Sequence, residues 1–189
     1  MHDELKQMYD LDIADHREMR VFGSPEYDEM RKRDARRRSR VRTILNEPTE
    51  LDPVDLYRAA WILNHGDSVP DAELACQVAE QSNQGGHEPA KWLFAAAYDR
   101  WCMYRGLPQK FGTQIVPDGE RYRVWDTCPE TTDEDRRAYN VPSLNELAAR
   151  AARESQLQPQ PPMEFAPRWL QNAIERWRLD SSQNSQADS

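Results

Sequence analysis

The sequence predicts a mainly α-helical fold: a compact multi-helix domain with one small β-hairpin at about residues 111–126 and a helix appended at the C-terminus. Three observations carry this. Apolar residues recur at three- and four-residue spacing through most of the chain before Gly106. A single Pro117-Asp118-Gly119 turn separates two short runs that contain β-branched and aromatic residues. A proline- and glutamine-rich stretch then detaches one last amphipathic segment. The expected organisation is a helical domain with its hairpin over 1–156, a Pro-rich linker over 157–164, an amphipathic helix over 165–180 and a disordered tail over 181–189.

Taken in order, residues 3–20 read as a first helix. Leu5, Met8, Leu11 (or Asp12) and Met19 fall on one side, and Gly23-Ser24-Pro25 ends it. Ser24 is a suitable N-cap for a second helix with Pro25 in its first turn. That helix puts Met30, Ala35, Val41, Ile44 and Leu45 on or near its inner side. Asp52 caps a third helix, "PVDLYRAAWILNHG", which Gly66 stops. "VPDAELACQVAEQSNQGG" follows, with Leu74, Ala75, Val78 and Ala79 apolar, and then the most apolar helix, "HEPAKWLFAAAYDRWCMYRG". After the hairpin, residues 133–139 suit a helical turn. Ser143 with Glu146 forms a capping box for "SLNELAARAARE". In the last segment Trp169, Leu170, Ala173, Ile174 and Trp177 share one face. Docking of that face on the domain is the simpler expectation; a protein partner or self-association through Trp169, Ile174 and Trp177 is the alternative.

Composition narrows the function. No apolar run approaches the roughly 18 residues of a membrane span, and the N-terminus lacks the apolar core of a signal peptide. Cys76, Cys102 and Cys128 are odd in number and form no CxxC pair, so free thiols and a cytoplasmic location are expected. Residues 31–42, "RKRDARRRSRVR", hold eight of the 25 basic residues and one of the 33 acidic ones. No aromatic residues interleave with those arginines, and the rest of the chain is strongly acidic. The run is expected to be a solvated, salt-bridged helix face; nucleic-acid binding through it is the minority reading.

Familiar catalytic patterns (HExxH, GxSxG, a P-loop, GxGxxG) are absent. What remains is polar residues near helix ends. His65 closes an apolar helix, where Asp67 would orient its ring. Asp99-Arg100 interrupts the apolar run "KWLFAAAY" and needs a partner for each charge. Gln109, Thr113 and Gln114 offer neutral donors and acceptors beside two glycines. In the first helix Asp12, Asp15 and His16 form D-x-x-D-H. Asp12 and His16 have the spacing of two metal ligands on one helix face, but a solvated face is the simpler reading. No metal or cofactor is expected.

"DLYRAAWILNHGD", "AKWLFAAAYDRW", "GLPQKFGTQ" and "TDEDRRAYNVPSLNELAARA" together resemble a bacterial family known as domain of unknown function 6624. The resemblance spans residues 5–153, and its most specific part is Pro-Gln-x-Phe-Gly-Thr-Gln at 108–114. His65, Asp99, Arg100, Pro108, Gln109, Gly112, Thr113 and Gln114 match the pattern. Asn64 stands where the pattern has Gln, Ile13 where it has Gln, and His16 where it has Arg. The resemblance implies no activity.

The residues support an expectation of acid–base chemistry on a small polar or peptide-like substrate. His65 would move the proton, Asp67 or Asp99 would orient it, and Arg100, Gln109, Thr113 and Gln114 would hold the substrate. The alternative is a helical binding or adaptor module in which these residues are structural.

Overall fold

Helix-capping side chains set the boundaries of most elements. The computed structural model describes residues 2–18, 20 and 23–187; Met19 and the last two residues lie outside them. Helix α1 spans Asp3–Arg17, α2 Pro25–Leu45, α3 Pro53–Asn64, α4 Val69–Gln84 and α5 Ala90–Tyr104. Strands β1 (Ile115–Pro117) and β2 (Tyr122–Val124) follow, then α6 (Asp133–Ala138), α7 (Leu144–Leu157), a short 3-10 turn at Met163–Phe165 and α8 (Arg168–Ala187). Ser24, Asp52, Ser68, Thr132 and Ser143 each accept a hydrogen bond from the backbone N–H three residues on, and the last two form full capping boxes. Gly106, at φ +71, ends α5 and lets the Leu107 N–H return to the Cys102 carbonyl at 3.0 Å.

Helices α3, α4 and α5 lie side by side, with α1 and α2 across α3. Alanines 59, 60, 75, 79 and 97 sit fully buried where these helices meet, and Leu5, Val41, Ile44, Ile62, Leu63 and Leu93 fill the space around them. Small residues at the crossings bring the helix axes close enough for that packing.

Two inner faces differ from the apolar pattern. Helix α1 ends at Arg17, three residues short of the expected 20; Leu11 is exposed, and Asp12 takes the buried position beside it. On α2, Ala35 is exposed, whereas Asp34, Arg37 and Arg38 are buried with Met30, Val41 and Ile44. The arginine-rich run is therefore salt-bridged as expected, but Asp34, Arg37, Arg38 and Val41 form an inner seam rather than a solvated face.

The hairpin is antiparallel, with Ile115 opposite Val124 and Pro117 opposite Tyr122. Two strands alone are marginal in water, and this pair is covered on both sides. Helix α7 lies against β2. Helix α8 buries Leu170, Ala173, Ile174 and Trp177 against Met103, Val116 and Trp125. Trp125 meets Trp169 and Trp177 edge-on, at centroid distances of 5.6 and 5.4 Å. The Trp177 Nε1–H donates to Asp126 at 2.7 Å. The tryptophan face thus docks within the chain. Helix α8 begins at Arg168, not 165, and its backbone continues to Ala187, past the 180 boundary read from composition. No helix among the described residues is long and apolar enough to cross a membrane.

Candidate functional site

Helix α3 delivers His65 to the seam between α1 and α2. His65 is the C-cap residue, and the apolar run before it anchors the helix so that the ring emerges at its end. Its Nδ1 lies 2.7 Å from Oδ2 of Asp12, which is fully buried. Donation from Nδ1–H to that carboxylate fixes the tautomer and leaves the lone pair on Nε2. His16 stacks on the ring at 3.9 Å between centroids, and Trp61 meets it edge-on at 5.8 Å. The His65 side chain keeps 19% of its surface and that of His16 29%, so both rings reach solvent. Burial pushes the His65 imidazole below its usual value; Asp12 pulls the other way, and His16 and Arg100 add to the lowering.

A shell of charge surrounds this pair. Arg37 spans three carboxylates: Asp12 at 3.2 Å, Asp15 at 2.8 Å and Asp34 at 2.5 Å. Arg33 grips Asp15 with two bonds, of 3.0 and 2.6 Å, and the two arginines hold that carboxyl down at about 2. Asp34 also receives Arg31 at 2.8 Å and faces His16 Nε2 at 3.3 Å. Arg31 and Arg38 donate to the His65 carbonyl at 3.1 and 3.3 Å, Arg100 to that of Asn64 at 2.5 Å, and Tyr104 to that of Gly66 at 2.9 Å. The open carbonyls at the end of α3 are thus met by three cations and a hydroxyl, where the helix dipole favours positive charge.

Hydrogen bonding is incomplete around this seam. Among the described residues five buried side-chain polar atoms have no hydrogen-bond partner: Asp12 Oδ1, Arg37 Nε, Trp61 Nε1, Asn64 Oδ1 and Arg100 Nε. Oδ1 of Asp12 and Nε of Arg37 face each other as an ion pair without hydrogen-bond alignment. All five atoms belong to residues of the seam or to the last turn of α3 and its Arg100 partner. Buried orphans are rare in folded proteins, so a cluster of them singles out this seam from the rest of the described core.

The other expected site residues lie elsewhere or do other work. The carboxylate that orients His65 is Asp12, not Asp67 or Asp99. Asp67 is largely exposed and pairs with Arg31 and, at 3.7 Å, with Arg38. Asp99 is fully buried and accepts four bonds of 2.8–2.9 Å, from the backbone N–H groups of Lys110, Phe111 and Thr113 and from the Thr113 hydroxyl. Burial pushes its carboxyl up while those donors pull it down. Gln109 ties the hairpin together: its Nε2 donates to the Gln114 and Trp125 carbonyls, and its Oε1 accepts from the Gln114 N–H. Gln114 donates to the Ala96 carbonyl at 3.0 Å and to the Thr113 hydroxyl. Gly112 fits between: at φ +92, with a Leu147 methyl 3.1 Å from where a Cβ would stand, a side chain there would be strained. "GLPQKFGTQ" is therefore a structural knot that fastens the hairpin to α5. Of the substrate-holding group, Arg100 alone reaches the His65 region.

Roomier hollows exist away from the histidines. One of about 320 Å³ lies between the hairpin and α8, lined by Arg121, Arg123, Trp177 and Arg178 among others, and one of about 480 Å³ lies between β2 and α7. Neither lining includes a histidine or a cysteine.

Sequence reasoning missed Asp12 as the orienting group and Arg31 and Arg37 as its frame. The signal was present in the D-x-x-D-H spacing and in the density of arginines, but nothing in the sequence joins position 12 to position 65. Comparison with family models, with curated proteins and with solved structures finds no match to this chain.

Proposed function

We propose that the protein is an enzyme in which His65 transfers protons on a small polar substrate. The observation that carries this is the 2.7 Å contact between His65 Nδ1 and a fully buried Asp12. Such a contact holds an imidazole in one tautomer and presents Nε2 as a general base. His65 is kept neutral by burial, which is the form a base requires near neutral pH. His16 stacked on the ring and Arg100 at the end of α3 supply polar contacts for a substrate group beside it. A peptide-like substrate remains within this class.

A second reading has its own support. Asp99, Gln109, Thr113 and Gln114 are consumed by backbone contacts, which fits a helical binding module whose polar residues are structural. The resemblance to domain of unknown function 6624 belongs to the proposal in the same way: its most specific element coincides with the hairpin knot, and its His65 with the reactive centre. Nucleic-acid binding is disfavoured, because most arginines of the 31–42 run are paired with carboxylates.

The deciding experiment is a thermal-shift screen of small polar metabolites, followed by turnover assays on the compounds that bind. His65→Gln is expected to keep the fold and to lower kcat about 10²- to 10⁴-fold, the usual contribution of a positioned acid or base. A variant that folds and turns over every hit at the wild-type rate would remove His65 from the chemistry and favour the binding module.

A further inference from the structure

The residues that set the proton on His65 also have the chemistry of a metal site. Asp12 and His16 stand one helical turn apart on α1, His65 closes α3 against them, and one donor atom from each lies within 4.8 Å of the other two. We propose that Asp12, His16 and His65 bind one divalent first-row transition ion of the zinc class. The inference rests on the reading of this cluster as the reactive centre, and it adds a ligand to it.

The donor set selects the ion. Two imidazoles and one carboxylate suit zinc, cobalt, nickel or iron, whereas calcium and magnesium take oxygen ligands. Asp12 is fully buried, and its Oδ1, ion-paired with Arg37 at 3.2 Å, makes no aligned hydrogen bond, which leaves that oxygen with coordinating capacity to spare. The outer layer is also in place. Asp34 faces His16 Nε2 at 3.3 Å, the carboxylate–histidine contact that orients a ligating ring, and Arg37 backs Asp12 at 3.2 Å. The partial exposure of His16 and His65 gives the ion a way in.

Ligation requires the two imidazoles to splay from their 3.9 Å stack so that both lone pairs point at one ion. Two ligands bound at about 2.0–2.1 Å in tetrahedral-like geometry stand roughly 3.0–3.4 Å apart. Asp12 Oδ2 and His65 Nδ1, now 2.7 Å apart, must open by a few tenths of an ångström. On ligation through Nδ1 the proton of neutral His65 moves to Nε2, so no proton is lost. Nε2 then becomes a donor, and a bound ion silences the base. The charged groups facing the site are Asp12, Asp15 and Asp34 against Arg31, Arg37 and Arg100. Protons compete with a metal ion for imidazole nitrogens, so binding at a site with two histidines weakens as pH falls.

Titration of the metal-free full chain with Co²⁺ and Zn²⁺ tests this, read by calorimetry and by the visible absorption of cobalt. One ion per chain is expected, bound more tightly at about pH 8 than at about pH 6. His16→Ala and His16→Gln, checked for an intact fold by circular dichroism, should weaken binding by at least about 10-fold, as even outer-layer changes do at such sites. His2→Ala should leave it unchanged. Absence of saturable binding, or binding that both His16 variants retain, would overturn the proposal. Neither readout needs a substrate, so a failed titration leaves proton transfer by His65 to its own assay, and a failed assay leaves the titration standing.

Discussion

Two opposing pulls set the charge of His65. Burial disfavours the imidazolium, and the Asp12 carboxylate 2.7 Å away favours it; burial prevails, so the ring titrates below its ordinary value of about 6.5. Asp12→Asn removes the upward pull and is expected to lower the midpoint further, as followed by the His65 ring resonances in an NMR titration. Linkage gives the sign for stability. As pH falls through about 6.5, the unfolded chain takes up a proton before the folded one, so stability decreases until the folded midpoint is reached and then levels off. Melting temperature should therefore fall between about pH 7.5 and pH 5.5 in the wild type, and less in His65→Gln. A midpoint that rises in Asp12→Asn would show that the carboxylate does not act on the ring as drawn.

Among the elements, the α1–α2 seam is the one most dependent on a single residue. Arg37 bridges Asp12, Asp15 and Asp34, and two of these carboxylates are fully buried. Removing one partner of a buried ionic cluster costs about 3–5 kcal/mol, because the remaining charges stay in a poorly solvated place. Arg37→Ala should accordingly lower the melting temperature by roughly 10 °C, at roughly 2–4 °C per kcal/mol for a chain of this size. Loss of the exposed Lys6–Asp10 pair in Lys6→Ala should cost no more than about 0.5 kcal/mol. Equal melting temperatures for the two variants would contradict the seam as a buried network. The same seam explains what the sequence made legible and what it hid. Caps at Ser24, Asp52 and Ser143, and the Pro-Asp-Gly turn, are local chemistry, and each marks an element edge. The buried positions of α2 (30, 34, 37, 38, 41 and 44) keep helical spacing, but three carry charge, so a search for apolar periodicity looked past them. Their meaning depends on carboxylates of another helix, and no local pattern records that pairing.

Taken whole, the described residues form three buried centres of stability. The first is the α3–α4–α5 core with the charged seam against it; the second is the hairpin, clamped by α8 through Trp125, Trp169 and Trp177. Tyr104 links them, since its hydroxyl donates to the Gly66 carbonyl beside His65 and its ring meets Trp169 at 5.4 Å. The 108–114 knot fastens this second centre to α5 through a third, of Ala95, Phe111, Val141 and Leu147, which is why residues that read as a site in the sequence turn out to hold the hairpin. Trp177 lies on the far side of that centre: it contacts Trp125, Arg123 and Asp126. Trp177→Ala is expected to cost about 3–5 kcal/mol through the cavity it leaves and the lost packing. Its effect should add to that of Arg37→Ala within about 0.5 kcal/mol, because the two residues share no partner. The His65 midpoint should be the same in Trp177→Ala as in the wild type. A shift there as large as the one caused by Asp12→Asn would mean that α8 reaches the histidines through Tyr104, and that the clamp on the hairpin also sets the environment of His65.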